Sequence, residues 1–284
     1  MIEFWYQLPV TAEFEYIMEC ALKAEELGFD GITHEDHFWV LGIGSGCRPE
    51  CWTFLTAVAM KTNLKVAPLV ACIPYRYPVL LAKIVTTLDK LSKGRVTFIY
   101  GAGWWKEESE FFGYHWEPGA VRFERTVEAI RLIEKLWTEE EVTFKGRYYA
   151  VRNCRLVPRP YQKPRPPILS GGIGFKMRKF AAQHDDGWIY YGKVSEESVK
   201  EFTERRRMMD KYVKGRNFKY GVFMHFRKRH TLEELRKAIE GFISLGAEMI
   251  ILRLDPHDEN LERLDEVSEV MEDLRSKYCE KPRQ

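Results

Sequence analysis

Apolar β-type runs and amphipathic helical patterns take turns along this sequence, and that alternation is its strongest constraint on a fold. Strand-type runs fall at 2–7, 30–34, 64–71, 95–100, 167–170, 187–191, 218–225 and 248–253. Between them, apolar residues recur at i, i+3, i+4 and i+7: Phe14, Ile17, Met18 and Ala21; Leu81, Ile84, Val85 and Leu88; Leu235, Ala238, Ile239 and Phe242. Such spacing lays one apolar stripe along each helix, the face that packs on a sheet. Boundary signals agree. Thr11 precedes the first helix and Gly28 follows it, Ser92-Lys93-Gly94 closes the third, and Thr231 with Glu234 reads as a capping box. Eight β–α units in 284 residues predict an α/β fold of the TIM type, a (β/α)8 barrel, over an open doubly wound sheet, which needs fewer strands. Residues 138–166 break the rhythm with a hairpin pattern around Lys145-Gly146 and a proline-rich run. They read as an insertion after the fourth β/α unit, within one domain spanning 1–284.

The composition narrows the function classes. Forty-four Lys and Arg balance 42 Asp and Glu, a net charge of +2, so nothing calls for nucleic acid or an anionic membrane as partner. Apolar stretches such as "VAPLVACIP" fall short of the roughly 20 residues of a membrane span, and the N-terminus lacks a signal-peptide pattern. A cytoplasmic protein is expected. Cys20, Cys47, Cys51, Cys72, Cys154 and Cys279 form neither a dense disulfide framework nor a paired zinc motif, and no metal is expected. Abundant Glu, Lys and Arg with few Gln point to a thermophilic source.

In such a barrel the loops after the strands build the site, so each strand's C-terminal edge is a candidate wall. After strand four comes "GAGWW". Ala102 and Gly103 would let the backbone approach a ligand closely, with Trp104 and Trp105 flanking a substrate pocket; the competing reading is a tight turn with tryptophans filling the rim. After strand two comes "THEDHFW", which sets Glu35, Asp36 and His37 at the mouth, and His37 is the candidate for proton transfer or for a structural role. After strand five, Ser170, Gly171, Gly172 and Gly174 precede a basic helix start, where free backbone N–H groups could bind a phosphate. The spacing matches neither a P-loop nor a dinucleotide fingerprint, and no nucleophile sits in a diagnostic motif.

Taken together, "AEELGFDGI", "DHF", "PYRYPVLLAKIVTTLDKLSKGRV", "GAGWWKEE", "FKGRYY" and "ILSGGIG…AAQHDDGW" resemble the bacterial-luciferase-like family of flavin and deazaflavin oxidoreductases over about residues 15–190. The resemblance implies a (β/α)8 barrel with a redox cofactor at its mouth, the ring near strand three and the phosphate near the strand-five loop. It also implies a non-prolyl cis peptide at Leu69-Val70, and cofactor contacts from Asp36, Leu69, Val70, Cys72, Ala102, Gly103, Gly171, Gly172, Gly174 and Phe175. In the sugar-phosphate dehydrogenase branch an acidic residue stands where this chain has Trp104, and a tryptophan where it has Leu41. His37 matches that branch's catalytic histidine, whereas its acid partner does not carry over.

Three functions compete. The first is a coenzyme F420-dependent oxidoreductase exchanging hydride with a small organic substrate. The second is an FMN-dependent monooxygenase fed by a separate flavin reductase, and the third is a flavin-binding protein without turnover. A homodimer is expected in each case.

Overall fold

In the computed structural model, residues 2–39, 48–254 and 261–279 are described. The first half runs β1 (Glu3–Gln7), α1 (Phe14–Glu26), β2 (Gly31–His34), α2 (Cys51–Lys61), β3 (Lys65–Pro68), β4 (Ala71–Cys72), α3 (Pro78–Leu91), β5 (Phe98–Gly101), α4 (Lys106–Phe111) and α5 (Gly119–Thr138). A ribbon, β6 (Val142–Lys145) and β7 (Ala150–Cys154), follows. The second half runs β8 (Ile168–Ser170), α6 (Phe175–His184), β9 (Gly187–Gly192), α7 (Glu196–Val213), β10 (Lys219–Phe226), α8 (Leu232–Ser244), β11 (Ala247–Leu254) and α9 (Glu262–Cys279).

Every pairing in the main sheet is parallel, in the order β3-β2-β1-β11-β10-β9-β8-β5-β4. Because β3 and β4 are the two halves of one interrupted strand, this order closes on itself. Val66 completes the seam, donating its N–H to the Arg95 carbonyl at 2.8 Å and accepting from Thr97 N at 3.0 Å. The result is an eight-stranded (β/α)8 barrel. All eight strand-type runs of the sequence form its strands.

Side chains alternate across each strand, so Trp5 points inward while Phe4 and Tyr6 point toward the helices. Trp5, Ala67, Leu69, Ile99, Leu169, Ile189, Met249 and Ile251 fill the barrel. Room for Trp5 comes from Gly31, where a Cβ would lie 2.6 Å from the indole. Outside, the α8 stripe of Leu235, Ala238, Ile239 and Phe242 is buried as its period requires, and Thr231 and Glu234 form the capping box. Two local expectations differ. Glu13, not Thr11, is the N-cap of α1, and Phe14 is exposed beside Phe54, because the burial face of α1 is carried by Ile17, Cys20, Ala21 and Ala24.

The ribbon is pinned to α5. Glu128 accepts from the backbone N–H groups of Arg147, Tyr148 and Tyr149 at 2.9, 2.8 and 2.6 Å, and a Cβ on Gly146 would run into that carboxylate. No helix among the described residues is long and apolar enough to cross a membrane. Cys47 and Leu41 lie outside the described residues, whereas Cys20, Cys51, Cys72 and Cys154 are free thiols.

Candidate active site

Strand three breaks where the resemblance implies: the Leu69–Val70 peptide is cis, between β3 and β4. Val70 thereby reaches sideways under the ends of the next two strands. A Cβ on Gly101 would stand 2.7 Å from Val70 Cγ2, and one on Gly171 would stand 2.5 Å from Val70 Cγ1. Those two glycines make room for Val70. Gly172 is packed too, since a Cβ there would collide with Met177 Cγ, and its carbonyl accepts from the Trp188 indole at 2.9 Å. Gly174 differs, with nothing within 4 Å of a Cβ. Gly103 turns the chain after β5 with φ of 74°, leaving its α-carbon against Cys72, whose Sγ lies 3.3 Å from the Cβ position; neighbouring Ala102 is half-buried against the core.

Asp36 is buried behind this bulge. Its Oδ2 accepts from Cys72 N at 2.9 Å and from Arg76 Nη1 at 2.6 Å, while Oδ1 accepts from Arg76 Nη2 at 2.9 Å. Both oxygens are therefore engaged by the protein: Asp36 holds the backbone N–H of Cys72 and is itself held by a forked ion pair with Arg76. Arg76 continues to Glu50 at 2.6 Å, tying the bulge to the start of α2.

His37 finds an acid partner that sequence reasoning missed. Its Nδ1 lies 2.7 Å from Oε2 of Glu108, a fully buried carboxylate in α4. Glu108 Oε1 accepts from Phe38 N at 2.7 Å and Trp39 N at 2.9 Å, and Tyr75 donates its hydroxyl to Oε2. Burial pushes this carboxyl up, yet the hydrogen bonds from His37, Tyr75 and the backbone outweigh it and hold it below the usual carboxylate range. An ionised Glu108 is an acceptor only, so Nδ1 of His37 carries the proton of this hydrogen bond. In the sequence, Glu108 sits within "WWKEESE", a charge run that looks like a solvated helix face.

Around this pair stands an aromatic wall. Trp105, 8% exposed, stacks on Trp104 (5.7 Å, 14°) and on Trp39 (5.7 Å, 5°), and Trp39 stacks on Phe111 (5.1 Å, 21°). His37 meets Trp104 and Trp105 edge-on at 5.7 and 5.8 Å. Trp104 is 67% exposed. Glu35, also at this strand end, pairs with Arg48 at 2.8 Å and Arg253 at 2.5 Å. Burial raises its carboxyl, but the two guanidinium groups prevail and lower it.

The loop after β8, the strand beside β5, is built differently. Helix α6 starts at Gly174 with no side chain capping it, and Ile173 and Phe175 are exposed. Arg178, in the first turn, places its guanidinium 6.0 Å from the Trp188 ring, and its Nε and Nη1 are buried without a partner. Burial and then the neighbouring Arg205 lower its pKa. On α5, Arg122 lies 3.7 Å over the Trp116 ring with its Nε equally unpartnered. These are donors waiting for an acceptor. A cofactor phosphate fits that donor set, and the open Gly174 position leaves room for it.

The chain is 34% identical over 175 residues to the F420-dependent glucose-6-phosphate dehydrogenase of Amycolatopsis mediterranei (strain U-32), covering 61% of this chain and 52% of that enzyme. It is 29% identical over 233 residues to the FMNH(2)-dependent dimethylsulfone monooxygenase of Pseudomonas putida, covering 82% of this chain and 63% of that enzyme. It thus spans about half to under two thirds of the length of these relatives. Among solved structures, an F420-dependent secondary alcohol dehydrogenase in complex with an F420-acetone adduct superposes with a TM-score of 0.78 at 21% identity, over 95% of this chain and 98% of that one. The monooxygenase RslO1 from Streptomyces bottropensis gives 0.79 at 19% identity, over 96% and 99%. At these identities the structures speak for the fold. The profile of the family described as luciferase-like monooxygenase matches residues 3–278, and the chain belongs to that family.

Proposed function

We propose that this protein is an oxidoreductase that holds a deazaflavin of the coenzyme F420 type at the barrel mouth and exchanges hydride with a small organic substrate. The observation that carries the reading is the His37–Glu108 pair, set beside the aromatic wall. When bound, the cofactor supplies the two-electron chemistry. The phosphate would take N–H groups at the start of α6, near Gly174 and Phe175, with Arg178 and Arg122 as cationic donors. Val70 would back the ring, with Leu69, Cys72, Ala102, Gly103, Gly171 and Gly172 shaping the surface around it and Asp36 holding that surface in place. His37 Nε2 accepts or returns the substrate proton while Glu108 holds the ring in one tautomer and orientation. Trp104 and Trp105 position the substrate and keep water away.

A second reading is favoured by the longer alignment, 82% of the chain, with the FMNH(2)-dependent enzyme. There the same mouth takes reduced FMN delivered by a separate reductase. We further take 1–284 as a single domain in which 138–166 is an insertion, and a homodimer as its assembly. Titration of the protein with F420 and with FMN, followed by absorbance, separates the readings. Tighter binding of F420 supports the first and tighter binding of FMN the second. Binding of either without turnover of any alcohol, ketone or sulfur substrate supports a non-catalytic flavin carrier.

A further inference from the structure

We infer that the substrate face of the mouth is built for a flat, uncharged, apolar molecule, an aromatic or conjugated ketone or alcohol, rather than one bearing a phosphate or carboxylate. The inference rests on the functional reading above for where the substrate sits, and on three separate observations for its chemistry. The rings of Phe111, Trp39, Trp105 and Trp104 form a chain of near-parallel stacks, with successive interplanar angles of 21°, 5° and 14°. Trp104 is 67% exposed, although its stack on Trp105 and its edge contact with His37 hold it in place. An aromatic so placed offers π-surface to one more ring, directly beside the histidine.

Charge points the same way. Next to His37 stand two carboxylates, Glu108 and Glu35, both held below the usual carboxylate range. Of the cations at that strand end, Arg48 and Arg253 are paired to Glu35 and Arg76 to Asp36. An anionic substrate would meet two negative groups and would have to break those ion pairs.

The test is calorimetric titration of the protein, with and without its cofactor, using 2-acetonaphthone as the neutral flat probe, 2-naphthoate as the charged flat probe and cyclohexanone as the neutral probe without a π-face. Wild type, Trp104→Phe and Trp104→Leu are compared. The expected result is that 2-acetonaphthone binds at least about tenfold more tightly than either other probe, that Trp104→Leu loses about five- to tenfold and that Trp104→Phe loses less than about threefold. Cofactor affinity should stay within about twofold in both variants. Equal binding of 2-naphthoate, or unchanged probe affinity in Trp104→Leu, overturns the inference. So does a ligand-free dimer in which Trp104 is shielded from acrylamide quenching, since the ring would then serve self-association. Failure of both cofactors to bind overturns the functional reading alone, because probe binding to the cofactor-free protein is read independently.

Discussion

Arg95 and Arg178 carry the same guanidinium at opposite ends of the barrel and are treated in opposite ways. Arg95, just before β5, donates from Nε to the Ser92 carbonyl at 2.8 Å, from Nη1 to Leu64 at 2.5 Å and from Nη2 to Ala59 at 2.7 Å. Arg178, at the start of α6, leaves Nε and Nη1 buried and unpartnered. The contrast extends to their surroundings. At the N-terminal end a cavity of about 500 Å³ is lined by Glu3, Lys65, Arg165, Asp186 and Lys219, yet these charges answer one another: Glu3 takes both lysines at 3.0 Å, and Arg165 takes Asp186 at 2.5 Å. An unsatisfied buried donor costs about 1–3 kcal/mol. What marks the mouth is unmet hydrogen-bonding capacity beside exposed aromatic surface.

The sharpest break of this comparison lies in catalysis. His37→Ala should lower turnover by about 10²–10⁴-fold while cofactor affinity stays within about threefold, measured by steady-state rates and cofactor titration. Glu108→Gln, which keeps an acceptor for the Phe38 and Trp39 amides, should lower turnover with little loss of folding stability. If both variants turn over normally but melt earlier, the pair belongs with the satisfied charges at the other end.

At that other end the expected losses are in stability alone. Asp89 is fully buried and accepts from Tyr161 N at 2.7 Å, Gln162 N at 3.0 Å and Gln162 Nε2 at 2.8 Å. Asp89→Ala should cost about 3 kcal/mol in denaturant unfolding and leave cofactor affinity unchanged. A parallel loss of affinity would mean that the two ends are coupled.

Acid should act through His34, at the end of β2. Burial pulls its pKa from 6.5 down to about 4, so the folded state keeps the ring neutral. An unfolded chain takes up that proton near 6.5, and the stability present above this value is lost as pH falls from 6.5 toward 4. Between pH 7 and 5 the loss should be about 2 kcal/mol, and His34→Gln should flatten that part of the stability–pH curve. A curve unchanged by the substitution would assign the acid sensitivity elsewhere.

The smallest expected effect separates two neighbouring glycines. Gly174→Asp, where a side chain has open space, should weaken FMN or F420 binding by about tenfold with melting unchanged, by placing a carboxylate near the phosphate site. Gly172→Ala should instead lower the melting temperature, since its methyl group meets Met177. Riboflavin binding as tightly as FMN would count against a phosphate site at α6.

Much of this fold is legible in the amino-acid sequence alone, and the reason is locality. Strand and helix periods are set within about ten residues, so all eight strands and the stripe of α8 can be read from neighbours in the chain, while the α1 stripe is read with Phe14 on the wrong side. The Thr231–Glu234 cap spans four residues and is equally plain. The motifs that carry the family resemblance place the break in strand three at Leu69–Val70. Long-range pairing is not legible. Glu108 and His37 are 71 positions apart and Asp36 and Arg76 are 40 apart, and only closure of the barrel brings strand ends two, three and four together. The same closure decides which small residues serve packing. Gly101, Gly171 and Gly172 look as open as Gly174 in the sequence, but Val70 and Met177 fill the space beside the first three, because a vacancy left by one strand is taken by the side chain of another.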